Sequence, residues 1–338
     1  MTATTAAPAE RQVRRAAFAL PGPYRAVLRQ HRTALWVLFG LFAVGIAALA
    51  ADRLWVGHAA DVFTATECSI TNTTPGCGGE VRGYLDAELQ FDRNLDYAGM
   101  AMLGLPCLIG AFVAGPIVAR DLESGTYKWA WTQSVTPARW LGARLAVVAA
   151  LVVSGVVLFT AVQRWAWTTG PELEYGRGAW YEQAMYGSLG TVGIGYALLG
   201  LAVGALAGLV IRRVLPAMAA ATAVTAGVVV LLPLVRSHLW ATETATWART
   251  YSGAATPDFG LLLEHGMLTA DGERLPESLC WGPDPKGCMT EHQVTGWYSD
   301  FHPSSHFWPL QLVETGILLL LAAAVTYAAF RLLRRRVA

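Results

Sequence analysis

The amino-acid sequence predicts an all-α polytopic membrane protein with six transmembrane helices. Three observations support this fold class. The 338 residues include six apolar runs of 18 to 25 residues. The chain is 54% hydrophobic and only 14% charged, with a mean hydropathy of +0.40, whereas soluble domains average about a quarter charged residues. Its basic residues are concentrated on alternate connections between the runs.

Each apolar run is long enough to cross a bilayer, because a hydrocarbon core of about 30 Å requires about 20 helical residues at about 1.5 Å per residue. The first run, with 18 residues, exceeds the roughly 7 to 15 residues of a signal-peptide core and is predicted to remain as a span. Glu314 is the one charged residue inside the runs. The predicted spans are residues 34–51, 98–119, 145–163, 186–210, 214–235 and 309–330.

The charges of the connecting segments predict the orientation of the chain. One alternating set of segments holds 16 of the 25 lysines and arginines and only 3 of the 24 acidic residues. Short basic segments stay in the cytoplasm, so this set and both termini are predicted to be cytoplasmic. The set comprises residues 1–33, 120–144, 211–213 and 331–338. The external segments are residues 52–97, 164–185 and 236–308, the last being a long extracytoplasmic segment before the final helix.

The cytoplasmic arm, residues 1–33, contains a basic stretch before the first span. Tyr24, Val27 and Leu28 share one side at helical spacing, while the arginines fall largely elsewhere. This pattern is typical of a short amphipathic helix on the inner membrane surface. It is equally compatible with a basic flank that only directs topology. At the other end of the chain, residues 331–338 are predicted to form a basic cytoplasmic tail.

Four of the five cysteines lie in the predicted external segments. Paired cysteines in an oxidising compartment are typical of disulfides. The pairs nearest in sequence are Cys68 with Cys77 and Cys280 with Cys288. The alternative is a metal site with His292, but its spacing from Cys288 matches no familiar zinc pattern, and we expect no bound metal. The Trp-rich segment 236–308 either lies at the headgroup level or forms a small disulfide-stapled cap.

Two features inside the spans indicate packing or transport. Gly200, Gly204 and Gly208 form a stripe of small residues at which a second helix can approach closely, because no Cβ intervenes. Glu314 lies five residues after Pro309, about 7.5 Å into the sixth span at about 1.5 Å per residue. A carboxylate at this depth either anchors the helix at the outer headgroups or contacts a substrate or gate. The sequence leaves both interpretations open.

Residues 120–144, between the second and third spans, are the most informative connection. They are too polar to lie in lipid, yet Trp129, Trp131 and Trp140 make them too apolar for a free linker. The connection begins with a charged bend at residues 120–123, followed by a helix-stopping glycine at 125, and a new helix is predicted to start at the Thr-Pro-x-Arg sequence 136–139. Together these features predict a compact structure. Such a structure is suited to a groove on a cytoplasmic partner.

In this connection the chain resembles the ABC-2 type transporter permeases, the membrane subunits of ATP-driven exporters. The family carries an acidic residue followed by Gly-Thr, and then a small-residue, Pro and Arg signature before the third span. The matching residues are Glu123, Gly125, Thr126, Pro137 and Arg139. The order around the proline differs, because Val135 precedes Thr136 and Ala138 follows Pro137. The six-span plan and the long external segment before the last span also match the family.

The resemblance implies that residues 120–144 contain the coupling helix, through which a separate ABC ATPase moves the spans. In this interpretation Arg120 and Glu123 fix the charged bend, and residues 129–131 fill a groove of the ATPase. The alternative is a loop packed only on its own helix ends. The residues expected to contact the ATPase are Arg120, Glu123, Gly125, Thr126, Trp129, Trp131, Pro137 and Arg139.

The sequence favours a transport function over catalysis. It contains no G-x-x-x-x-G-K-[ST] motif and no G-x-S-x-G elbow, so we expect no enzyme activity and no cofactor in this chain, with ATP and Mg²⁺ held by the partner. The expected function is the permease subunit of an ABC exporter. We expect it to work as a homodimer or beside a second permease, among membrane lipids and without nucleic acid. Its apolar spans suit a hydrophobic or amphipathic substrate.

A second function class remains open. The chain is alternatively a stand-alone secondary transporter, or a membrane-anchored sensor with a disulfide-stapled external module. Ion-driven carriers typically hold ionisable residues near the bilayer midplane, and the predicted spans have none there. Among the 25 cationic residues only Lys128 and Lys286 are lysine. Together with the abundance of alanine, this predicts a GC-rich genome and a multi-pass protein of a bacterial plasma membrane.

Overall fold

The computed structural model describes residues 22–71, 76–128, 136–169, 178–248 and 260–337. Within these ranges, six helices are long and apolar enough to cross a membrane. The predicted helical, polytopic membrane architecture is therefore confirmed. The six candidate spans are Arg32–Thr64, Gly78–Ser124, Pro137–Thr168, Val192–Ile211, Val214–Arg236 and Ser304–Arg335.

The elements follow one another as a helical bundle with a small β-sheet inserted before the last span. The helices are α1 (Gly22–Gln30), α2 (Arg32–Thr64), α3 (Gly78–Leu108), a π-helical segment (Ile109–Ala114), α4 (Gly115–Ser124), α5 (Pro137–Thr169), α6 (Gln183–Leu189), α7 (Val192–Ile211), α8 (Val214–Arg236), α9 (Pro285–Glu291) and α10 (Phe307–Val337). The strands are β1 (Glu243–Ala248), β2 (Leu261–Thr269), β3 (Arg274–Pro276) and β4 (Val294–His302).

Most helices extend beyond the apolar runs that predict them. Helix α2 has 33 residues and α10 has 31, because a helix does not have to stop where the hydrocarbon ends. The predicted tail at 331–338 is accordingly a continuation of α10 as far as Val337. Within the predicted arm, α1 packs against α5 and buries Val27.

The fourth predicted span, residues 186–210, is wrong as a single helix. Helix α6 ends at Leu189 and α7 begins at Val192, with Gly190 in an extended conformation between them. Gln311 of α10 bridges the break, since its Nε2 donates to the Tyr186 carbonyl at 2.7 Å and its Oε1 accepts from the Val192 amide at 3.0 Å. A Cβ on Gly190 would overlap the Gln311 side chain. The uniformly apolar composition of the run conceals this interruption.

The second span is a continuous α–π–α helix that presents its irregular part to α7. The π-helical segment follows Pro106, which removes one backbone donor from the ladder. Gly200 faces the Pro106 carbonyl and Gly204 faces the Gly110 carbonyl. A Cβ on Gly208 would lie 2.9 Å from the Gly115 carbonyl oxygen. The glycine stripe of α7 therefore lies directly against the backbone of the second span.

The segment before the last span, predicted to be external, forms a small antiparallel sheet with the strand order β1-β4-β2-β3. Its core consists of Met267, Val294 and the Cys280–Cys288 disulfide. The predicted disulfide between Cys68 and Cys77 is also present. Of the two arrangements that the sequence allows for this segment, the structure has the disulfide-stapled cap. Its strands were not predicted, because their alternation is weak and two of them have six residues or fewer.

Candidate functional site

The end of the second span forms an elbow, here defined as residues 120–128. Helix α4 ends at Ser124, and Gly125 follows with a φ of 72°. This left-handed conformation is the usual C-terminal stop of a helix and strongly favours glycine. The Thr126 hydroxyl lies 3.0 Å from the Ser124 hydroxyl, so the turn is closed by local polar contacts.

A buried ion pair fastens the elbow to the rest of the bundle. The Asp121 carboxylate of α4 accepts from the Arg144 guanidinium of α5, and both side chains are only 7% exposed. Gln30 of α1 donates to Asp121 at 3.2 Å and accepts from Arg144 at 3.5 Å. Arg144 also stacks on Trp140, with the guanidinium carbon 4.1 Å from the ring centre. Three helices therefore meet at this pair.

A second contact ties the elbow to the start of the fifth span. The carboxylate of Glu123 accepts a hydrogen bond of 3.1 Å from the backbone amide of Val214, the first residue of α8. This amide is one of the four that a helix leaves without an internal partner. A carboxylate at that position also interacts favourably with the positive end of the helix dipole. Glu123 thus links the elbow directly to the first residue of α8.

The structure separates the residues predicted to contact a partner into three groups. Glu123, Gly125 and Thr126 lie together on the elbow, while Pro137 and Arg139 begin α5. Arg120, at the start of the elbow, is exposed and lines a groove between the first two spans. Trp129 and Trp131 lie outside the described residues.

Asp121, Arg144 and Gln30 were not predicted as site residues, although they hold the elbow in place. Asp121 and Arg144 are separated by 23 residues and Gln30 is 91 residues from Asp121. A sequence signal for the pair did exist, because one acid and one arginine flank the connection at the ends of two adjacent spans. Within the described ranges, no group of three or more His, Cys, Asp or Glu side chains is arranged to hold a metal ion.

Replacing Asp121 by asparagine (Asp121→Asn) is expected to destabilise the protein by about 1.5 to 3 kcal/mol, the usual contribution of a hydrogen bond to a charged group. The loss arises because Arg144 would stay buried without an opposite charge. Unfolding of the purified protein in detergent measures the change. Asp61→Asn, at an exposed carboxylate of α2, is the matched control. Equal stability of the two variants would contradict the role of the pair.

A second buried charge cluster joins α8 and α10 at the opposite end of the bundle. Arg236 Nε donates to Glu314 at 2.8 Å, and the Tyr196 hydroxyl of α7 donates to the same carboxylate at 2.9 Å. The Arg236 guanidinium lies 3.7 Å above the Tyr186 ring. Glu314 has no exposed surface and Arg236 is 5% exposed. This cluster lies where the β-sheet is inserted between α8 and α10.

These contacts correct one of the two interpretations of Glu314. Glu314 does not reach the bundle surface, so the interfacial anchor is excluded, and its carboxylate is directed inward to an arginine. Of this buried ion pair, the predicted spans include only Glu314, because Arg236 lies one residue beyond the fifth predicted span.

The comparisons with known proteins assign the family. No curated protein and no solved structure matches the chain. Residues 39–236, more than half of the chain, match the family described as ABC-2 membrane transporter related. The matched region includes most of the first span, the next four spans and the elbow with its buried ion pair. Together with the six-helix architecture, this match shows that the chain belongs to the ABC-2 membrane transporter related family.

Proposed function

We propose that the chain is the membrane subunit of an ABC exporter, and that a separate ATPase drives it by moving the elbow. Family membership implies an ABC ATPase as the partner. We further propose that ATP and Mg²⁺ bind to that partner, that the elbow faces the cytoplasm, and that two such membrane subunits enclose the substrate path. The pair would be either a homodimer or a complex with a second permease in a bacterial plasma membrane.

The observation that carries this proposal is the attachment of the elbow to several spans at once. Asp121 connects α4 to α5 and α1 through Arg144 and Gln30, and Glu123 connects it to α8. A rigid displacement of the elbow would therefore move the second, third and fifth spans together. For the ATPase to move these spans through such contiguous contacts, it must bind the elbow directly.

The exposed residues of the elbow supply a surface to which the ATPase can bind. Glu123, Ser124, Thr126 and Lys128 are exposed, and together they offer a carboxylate, two hydroxyls and an ammonium group for polar contacts. The two tryptophans at 129 and 131 follow immediately. Aromatic anchors with a polar rim are typical of protein interfaces. The export of a hydrophobic or amphipathic substrate remains part of the proposal, on the basis of the apolar spans.

Glu123→Ala tests the coupling. The variant loses the contact with the start of α8, and the loss of a helix cap costs only about 0.5 to 2 kcal/mol, so we expect the protein to fold. We expect co-purification with an ABC ATPase encoded beside the gene. In proteoliposomes we expect ATP hydrolysis to continue while export of hydrophobic or amphipathic compounds is lost.

The matched control is Glu291→Ala, at an exposed glutamate of the external segment, for which both activities should match those of the unmodified protein. Export by Glu123→Ala at the normal ratio to ATP hydrolysed would refute the coupling role of the elbow. Failure of the unmodified chain to bind the ATPase would refute the proposed partner.

A further inference from the structure

An amphipathic groove of about 620 Å³ runs between α2 and the second span. This volume is within the range of about 300 to 1,000 Å³ of small-ligand sites. Along most of its length the walls are apolar. Val37, Leu41, Leu108 and Phe112 line it and are between 48% and 61% exposed. The groove therefore opens toward the surrounding lipid.

One end of the groove is polar and positively charged. Gln30, His31, Thr33 and Arg120 line this end. Asp121, the acidic neighbour of Arg120, is already paired with Arg144. Within the described part of the chain, Arg120 forms no ion pair. The groove thus presents a cation that its own walls do not neutralise.

His31 adds an uncharged polar group at the same end. Burial, followed by the nearby Arg144, lowers the pKa of His31, although Asp121 acts in the opposite direction. The lowered pKa favours the neutral ring. Its Nε2 is buried and has no hydrogen-bond partner among the described residues. A neutral imidazole beside a guanidinium suits a phosphate oxygen, which accepts from both.

The length of the groove matches one membrane leaflet. Its wall on the second span runs from Leu105 to Ile117, about 18 Å at about 1.5 Å per residue. Half of a hydrocarbon core of about 30 Å is about 15 Å. An acyl chain that begins at the Arg120 end would therefore lie along the apolar wall to roughly the middle of the bilayer.

A groove on the opposite face of α2 also has an arginine at its α1 end, which places the lipid headgroups at the same height along the bundle. This second groove, of about 410 Å³, has Arg32 at the α1 end and apolar walls that include Leu35, Trp36 and Phe39. Two arginines at corresponding ends of two lipid-facing grooves are expected where anionic headgroups lie, because arginine side chains at helix ends reach toward the interface.

We propose that this groove binds an anionic phospholipid of the leaflet on the elbow side, with its phosphate on Arg120 and an acyl chain against Phe112 and Leu108. Arg120 is thereby assigned to lipid, and not to the ATPase contact predicted for it. The assignment is independent of ATP-driven export, since it depends only on the groove and its charge.

Native mass spectrometry of the full-length protein tests the proposal. The protein is released from mixed micelles that contain equal amounts of phosphatidylglycerol and phosphatidylcholine. We expect the unmodified protein to retain phosphatidylglycerol preferentially. Arg120→Gln should reduce that preference by about tenfold, as expected for a lost charge-assisted hydrogen bond. Arg120→Lys should keep part of the preference, because it restores the charge.

The control is Arg331→Gln, an exposed arginine of α10 at the same end of the bundle, which should leave the preference unchanged. Equal retention of the two lipids by the unmodified protein would overturn the proposal, as would an undiminished preference in Arg120→Gln. Displacement of phosphatidylglycerol by an equal concentration of inorganic phosphate would also overturn it, because the site would then recognise an anion without its acyl chain.

Discussion

Glu314→Ala is expected to destabilise the protein by about 3 to 5 kcal/mol, because it leaves the Arg236 guanidinium buried without an opposite charge. Arg236 would keep its contact with the Tyr186 ring, which carries no compensating negative charge. The Tyr196 hydroxyl would lose its acceptor as well. SDS-induced unfolding of the purified protein, followed by tryptophan fluorescence, measures the loss.

Two further variants identify the cause of that loss. Glu291→Ala removes an exposed carboxylate and should leave the unfolding free energy unchanged. Glu314→Leu combined with Arg236→Leu removes both charges, and should be more stable than Glu314→Ala, since an apolar pair avoids the desolvation penalty of the ions. If Glu314→Ala is as stable as the exposed control, the pair does not join α8 and α10 as described.

Alanine at Gly200 or Gly204 is expected to have the next largest effect. A Cβ on Gly200 would overlap the Pro106 carbonyl, and one on Gly204 would overlap the Gly110 carbonyl and lie 2.8 Å from the Ala114 Cβ. These are mainly backbone atoms of a helix, which do not move aside as a flexible side chain does. Each substitution should lower the free energy of unfolding by about 1 to 3 kcal/mol. Combining both substitutions should prevent assembly of the bundle.

Gly227→Ala supplies the comparison for the glycine variants. Gly227 lies inside α8 and an added Cβ would meet no atom within 4 Å, so the substitution should be neutral or slightly stabilising, given the higher helix propensity of alanine. Thermal unfolding in detergent distinguishes the variants. Wild-type stability of Gly200→Ala and Gly204→Ala would show that α7 does not contact the second span through this stripe.

The sequence predicts what is local and periodic. Six apolar runs are recognisable because nearly every residue of a span must be compatible with the hydrocarbon core. The two disulfides are predictable because their cysteines are only 9 and 8 residues apart. Glycines at intervals of four reveal a packing face in the same way. None of these signals depends on the order in which the helices pack.

The pairings that organise the site are long-range and escape such reasoning. Arg236 and Glu314 are 78 residues apart, and the bridge from Gln311 to the helix break spans 119 residues. A polar residue in an apolar run indicates that a partner exists without identifying it. The position of Glu314 only five residues from Pro309 suggested a surface carboxylate, whereas the packing of α7, α8 and α10 around it makes it a buried one.

Labelling with a membrane-impermeant maleimide tests the central claim that the elbow faces the cytoplasmic ATPase. Thr126→Cys introduces an exposed thiol on the elbow, and Asp271→Cys introduces one in the external sheet. In intact cells we expect labelling of Asp271→Cys alone. After permeabilisation Thr126→Cys should react, and bound ATPase should protect it. Labelling of Thr126→Cys in intact cells would place the elbow outside and contradict the proposed mechanism.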